Sequence, residues 1–115
     1  VYTGGTTGMP KGVLWRQADI FMAALGGRVP GAPPVNDRAD LLSRIPYGEM
    51  MRMLPAPPFM HGAGHWTAFI NLHAGGTVVL PRNPRVLDAD DIWTTVAHER
   101  VMSISIVGDA FARPL

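Results

Sequence analysis

Thr3, Gly4, Gly5, Thr6, Thr7, Gly8 and Lys11 fall within nine consecutive residues of the run VYTGGTTGMPKGVL that opens the chain. These residue types at this spacing make a cradle for an anion. Glycines lack a Cβ, so they take positive φ and turn backbone N–H groups toward an anion at close range. The threonine hydroxyls add short donors, and Lys11 brings a flexible point charge suited to the outer phosphates of a nucleotide. Pro10 stiffens the backbone just before that lysine. An ordinary turn is the plain alternative, since Gly, Thr and Pro build turns as well. The full set of three Gly, three Thr and one Lys is what favours phosphate. Two familiar phosphate loops are excluded. G-x-x-x-x-G-K-[ST] fails because Lys11 stands between Pro10 and Gly12, and G-x-G-x-x-G does not occur.

A second group of chemically able residues is Pro57-Pro58-Phe59-Met60-His61-Gly62-Ala63-Gly64. The pattern places it where a strand gives way to a helix, the edge of a parallel sheet at which ligands collect, and its glycines leave room there. His61 and His65, four apart, share one helix face and would make a metal pair. The zinc-protease pattern H-E-x-x-H needs a Glu after the first His, and Gly62 stands there. His65, His73 and His98 read as surface or packed helix residues. Trp66 and Phe69 read either as core or as a pocket wall.

The elements that must position these groups follow from the pattern. Val13, Leu14 and Trp15 complete a β-hairpin around the Gly/Thr run, and a helix begins near Gln17 or Asp19 and stops at Gly26 and Gly27. Residues 28–52 are rich in Pro and Gly and read as a long surface loop or insertion, with Arg28, Arg38, Arg44 and Arg52 solvated. From there the chain alternates: strand 53–56, helix 62–73, strand 77–80, helix 89–100, strand 103–107. That is β-α-β-α-β, the arrangement of a parallel sheet in an α/β fold. Asp88 is an N-cap with Asp90 and Asp91 in the first turn, and Ile92, Trp93 and Val96 form the buried stripe. Gly75-Gly76 closes one helix, and Gly108-Asp109 opens another.

Composition narrows the function classes. With 115 residues, 47% of them hydrophobic, the chain can bury one modest core. Ten basic and nine acidic residues leave a net charge of +1 and no basic stripe, so nucleic acid is not an expected partner. Zero cysteines exclude disulfides and thiolate metal sites and fit a reducing, cytoplasmic setting. No apolar run approaches a membrane span, and nothing resembles a signal peptide. The opening on a strand-like Val-Tyr and the close on Ala-Arg-Pro-Leu read as cut ends.

The run YTGGTTGMPKGV resembles the signature loop of the adenylate-forming superfamily, which includes acyl-CoA synthetases, adenylation domains of peptide synthetases and luciferases. One position departs from the usual form: Gly4 stands where Ser is common, so a hydroxyl donor is missing. The resemblance implies that 1–115 is part of a larger AMP-binding domain. It also implies that Thr3, Gly4, Gly5, Thr6, Thr7, Gly8 and Lys11 hold the β and γ phosphates of ATP, whose oxygens Mg²⁺ bridges. PPFMHGAG is similar to a second superfamily motif, in which His61, followed by Gly62, borders the acyl substrate pocket. The superfamily's catalytic lysine, metal-holding glutamate and ribose-binding aspartate match nothing in these residues. The chain alone is therefore expected not to turn over. PPFMHGAGHWTAF and SISIVGDAFARPL look most like bacterial fatty-acyl-CoA synthetases, which implies a carboxylic acid substrate and coenzyme A as thiol. A non-catalytic nucleotide-binding module, or an adenylation domain of another branch, is the alternative.

Overall fold

The computed structural model describes residues 2–3 and 8–115, positions 2 and 3 by their backbone alone. β1 (Tyr2–Thr3) and β2 (Lys11–Gly12) pair antiparallel in a two-stranded sheet of their own. The second strand ends at Gly12, short of the expected Val13, Leu14 and Trp15, all three of which are exposed. With only β1 beside it, a longer strand would present its apolar side chains to solvent on both faces. α1 (Gln17–Ala24) follows. Gly26 adopts φ 98°, and the N–H groups of Leu25 and Gly27 both reach the Phe21 carbonyl, the closure of a helix at a glycine.

Within 28–52 lies α2 (Arg38–Ser43). Asp37 caps it by accepting from the Asp40 N–H at 2.8 Å. Arg44 grips the Asp40 carboxylate with two nitrogens at 2.8 and 2.7 Å and donates to the carbonyls of Pro33 and Pro34 at 2.7 and 3.0 Å. Arg44 stays exposed, as expected, but it is also the staple that holds the proline-rich stretch onto α2. Arg52 is half-buried instead. Its guanidinium reaches the carbonyl of Glu99 and, at 2.7 Å, the Glu99 carboxylate.

The main sheet holds β3 (Arg52–Pro55) at its centre, with β4 (Thr77–Val78) and β5 (Ser103–Ser105) parallel on either side. Between them run α3 (Gly62–His73) and α4 (Ala89–His98), and α5 (Gly108–Ala112) closes the order. The alternating α/β reading holds, with shifted bounds. β3 starts and stops one residue early, β4 and β5 are shorter than 77–80 and 103–107, and α4 ends at His98. Asp88 caps α4 as its sequence indicates, accepting from Asp90 and Asp91. The buried face of α4 is Ile92 and Thr95, with Val96 half-buried and Trp93 turned outward, where its indole donates to the Leu115 carbonyl at 3.1 Å. Leu54, Ala68, Val79 and Ile92 make the core of the sheet and its helices. Buried Asn71 donates to the Thr77 carbonyl at 2.9 Å, and a Cβ on Gly76 would stand 2.2 Å from its amide oxygen. Only glycine admits that polar clamp between α3 and β4.

Candidate functional site

The hairpin sets the geometry of the first site. β1 and β2 pair with Tyr2 opposite Gly12 and Thr3 opposite Lys11, so the connection between the strands leaves from Thr3 and returns at Lys11. Sequence neighbours eight apart thereby become ladder partners. Gly8 takes φ 130°, a conformation that side-chain-bearing residues rarely adopt, and a Cβ there would meet nothing within 4 Å among the described residues. The positive φ is what calls for glycine there. Lys11 is exposed on the strand that receives the loop. Gly4, Gly5, Thr6 and Thr7 lie outside the described residues.

The second site opens α3. β3 ends at Pro55, Pro57 is fully buried, and the chain turns so that the His61 N–H meets the Pro58 carbonyl at 2.8 Å. His61 is the N-cap: its Nδ1 accepts from the Ala63 N–H at 3.1 Å. An acceptor on Nδ1 leaves the ring's proton on Nε2. His61 is exposed, so that N–H is available to a ligand beside the end of the sheet. The glycines that follow differ in purpose. A Cβ on Gly62 would touch the Trp66 ring at an ordinary 3.5 Å, whereas one on Gly64 would strike the carbonyls of Pro57 and Pro58. The room expected at Gly64 is therefore already filled by the strand's own exit. One turn further along, the Thr67 hydroxyl meets that of Ser105 at 3.1 Å, joining α3 to the end of β5. Trp66 buries its indole N–H with no acceptor among the described residues.

At the C-terminal edge of the sheet lies an apolar cleft of about 310 Å³, walled by Pro55, Pro57, Leu80, Ile92 and Phe111 with Arg85 among its lining. The volume is at the lower end of ligand pockets, about 300–1,000 Å³. Its lining includes neither His61 nor Lys11. The reading from sequence did not single out residues 81–87. Their one signal was position, a Pro- and Arg-bearing loop directly after a parallel strand. His65, the other histidine of the pair set aside above, stacks edge-on against Phe69, with ring centroids 4.8 Å apart. Among the described residues no three of His, Asp and Glu gather to hold a metal ion, and no helix is long and apolar enough to cross a membrane.

Comparison with known proteins gives a consistent set. The family described as AMP-binding enzyme matches residues 1–114. Medium-chain acyl-CoA ligase Mig of Mycobacterium avium is 46% identical over 116 residues, which cover 100% of this chain and 21% of that protein. A medium/long-chain-fatty-acid–CoA/3-oxocholest-4-en-26-oate–CoA ligase of Mycolicibacterium smegmatis is 38% identical, over 100% of this chain and 20% of its own length. The 3-oxocholest-4-en-26-oate–CoA ligase of Rhodococcus rhodochrous is 35% identical with the same coverage. The chain thus spans 20% to 21% of the length of these curated relatives. No solved structure matches it.

Proposed function

The chain belongs to the AMP-binding enzyme family, and from that premise we propose that it is a section of an ATP-dependent acyl-CoA ligase acting on a medium- or long-chain fatty acid. In the first step a carboxylate oxygen of the acid attacks the α-phosphorus of ATP, and pyrophosphate leaves. In the second, the thiol of coenzyme A attacks the acyl carbon and AMP leaves. The observation that carries the reading is the pairing of Thr3 with Lys11, which puts a cation at the foot of a Gly/Thr connection. In this reading Lys11, the loop threonines and the loop's backbone N–H groups hold the outer phosphates of ATP, aligning the leaving pyrophosphate and opposing its growing charge. His61 offers its Nε2 proton on the acid side, near the end of the sheet. Mg²⁺ arrives with ATP as part of the substrate. The cysteine-free composition suits a cytoplasmic enzyme.

The test uses the full-length protein with ATP, Mg²⁺ and coenzyme A, and a series of medium-chain, long-chain and steroid side-chain acids. AMP and acyl-thioester should form together and only when an acid is present. Tight ATP binding without acid-dependent AMP would replace the ligase by a non-catalytic nucleotide-binding module. AMP formation with an amino acid instead of a fatty acid would move the chain to another branch of the family.

A further inference from the structure

The imidazole of His73, in the last turn of α3, reaches back to the end of α1, where its Nδ1 lies 2.6 Å from the Leu25 carbonyl oxygen. A carbonyl only accepts, so the ring carries its proton on Nδ1 and donates it. Leu25 is the C-cap of α1, one of the residues whose carbonyl finds no partner inside its own helix. The same ring meets Phe21 of α1 edge-on, centroids 5.2 Å apart, and Phe69 of its own helix at 5.9 Å. Phe69 in turn holds His65. His65, Phe69 and His73, each four residues from the next, form a ladder down one face of α3, and Phe21 is its step onto α1. At Gly26 the exit of α1 comes so near that a Cβ would stand 3.8 Å from His73 Cβ and from Ile70 Cα.

The two helices so joined serve the two halves of the site. Four exposed residues, Val13 to Arg16, tether β2 to α1, so the position of α1 limits how far away the foot of the hairpin can stand. α3 begins where His61 caps it. We infer that His73 is a positioning residue: by holding the end of α1 on α3 it fixes the hairpin that grips ATP relative to the helix that opens on the acid side. It does so without touching either substrate. This rests on the ligase reading given above.

Acid-dependent exchange between ATP and pyrophosphate in the full-length protein separates the possibilities. His73→Leu keeps the bulk and loses the donor, while His73→Asn keeps an N–H close to where Nδ1 stood. The Leu variant should raise KM for ATP roughly tenfold, the size of effect a small misplacement produces, while KM for the acid moves less than about twofold. The Asn variant should recover most of the loss. An unchanged KM for ATP in His73→Leu, an equal rise for acid and ATP, or a failure of Asn to rescue would each overturn the positioning role. Should His73→Leu not fold, Phe21→Leu reads the same joint: it should show the same split between the two KM values, and equal rises would again overturn the role. Wild-type protein with no exchange at all would overturn the ligase reading itself, whatever the variants do.

Discussion

A methyl group on Gly64 would stand 2.3 Å from the carbonyl oxygen of Pro57, closer than real Cβ atoms come to backbone. The exit of the central strand and the first turn of α3 are therefore packed backbone to backbone, and that contact sets where His61 caps the helix. Gly64→Ala in the full-length protein should cost about 3 kcal/mol, since neither carbonyl can retreat without moving buried Pro57. Gly62→Ala meets only the Trp66 ring at 3.5 Å and should change stability by less than about 1 kcal/mol. Denaturant midpoints compare the two, and equal midpoints would contradict the close approach.

His61 caps α3 and, in the reading proposed above, also stands beside the substrate; two substitutions separate these roles. Asn also caps helices well, so His61→Asn should keep the stability that His61→Ala loses, about 1 kcal/mol. Both should shift acid preference or slow thioester formation, because both lose the Nε2 proton. Bound zinc measured by elemental analysis should stay at background in all three proteins. Stoichiometric zinc that disappears with His61 would return the histidine to metal binding.

The acid side of the stability profile should carry a contribution from α2. The Arg44 guanidinium, followed by the Asn36 N–H, holds the Asp40 carboxyl below its ordinary value of 3.8. Since the folded value is the lower one, this contribution is complete above pH 3.8 and is lost as pH falls from there through the folded value. Asp40 and Arg44 stand at the surface, so the effect is local and screened by salt. Amide exchange in residues 33–44, followed against pH, should quicken over that acid window in the wild type. Asp40→Asn should remove the dependence, and the same pH profile in the variant would show that another group is responsible.

What could be read from the sequence was what local chemistry decides. The bounds of α3 and the Asp88 cap of α4 came through because caps and glycines act within a few residues of themselves. The hairpin around the Gly/Thr run was legible as a composition, yet its register, Thr3 opposite Lys11, is a pairing and needs the fold. The apolar run at Val13 to Trp15 read as strand because apolar alternation carries no information on whether a partner strand exists. Trp93 sits at a position apolar by type and exposed by angle, one step off the face that Ile92 buries. α2 was missed because six residues make little periodicity, and the Asp40–Arg44 pair that secures it shows in sequence only as two charges four apart. The closeness of Gly64 to Pro57 and of Gly76 to Asn71 is invisible before packing. In sequence a glycine that admits a neighbour looks the same as one that leaves space.

The chain by itself should be a poor folding unit. Its radius of gyration is 15.8 Å, against about 13 Å for a compact domain of this length. Leu80 beyond β4 and Met102 and Ile106 around β5 are exposed beside the two outer strands of the sheet. Edges of this kind recruit other chains. The 115-residue chain, prepared alone, should associate in sedimentation experiments and exchange the amides of β4 and β5 quickly. A monomer with a cooperative melt and slowly exchanging strands would show that this section is stable without more sheet.

The most direct measurement is the acid-dependent exchange of labelled pyrophosphate into ATP by the full-length protein, wild type beside Lys11→Ala. Exchange reports the step at which the outer phosphates leave and return, and it requires neither coenzyme A nor product release. The wild type should exchange only with a fatty acid present. Lys11→Ala should slow exchange by a factor of about 10² while KM for the acid stays near its wild-type value, as when one charge-stabilising group is lost from a leaving group. Equal exchange in the two proteins would remove Lys11 and its hairpin from the chemistry.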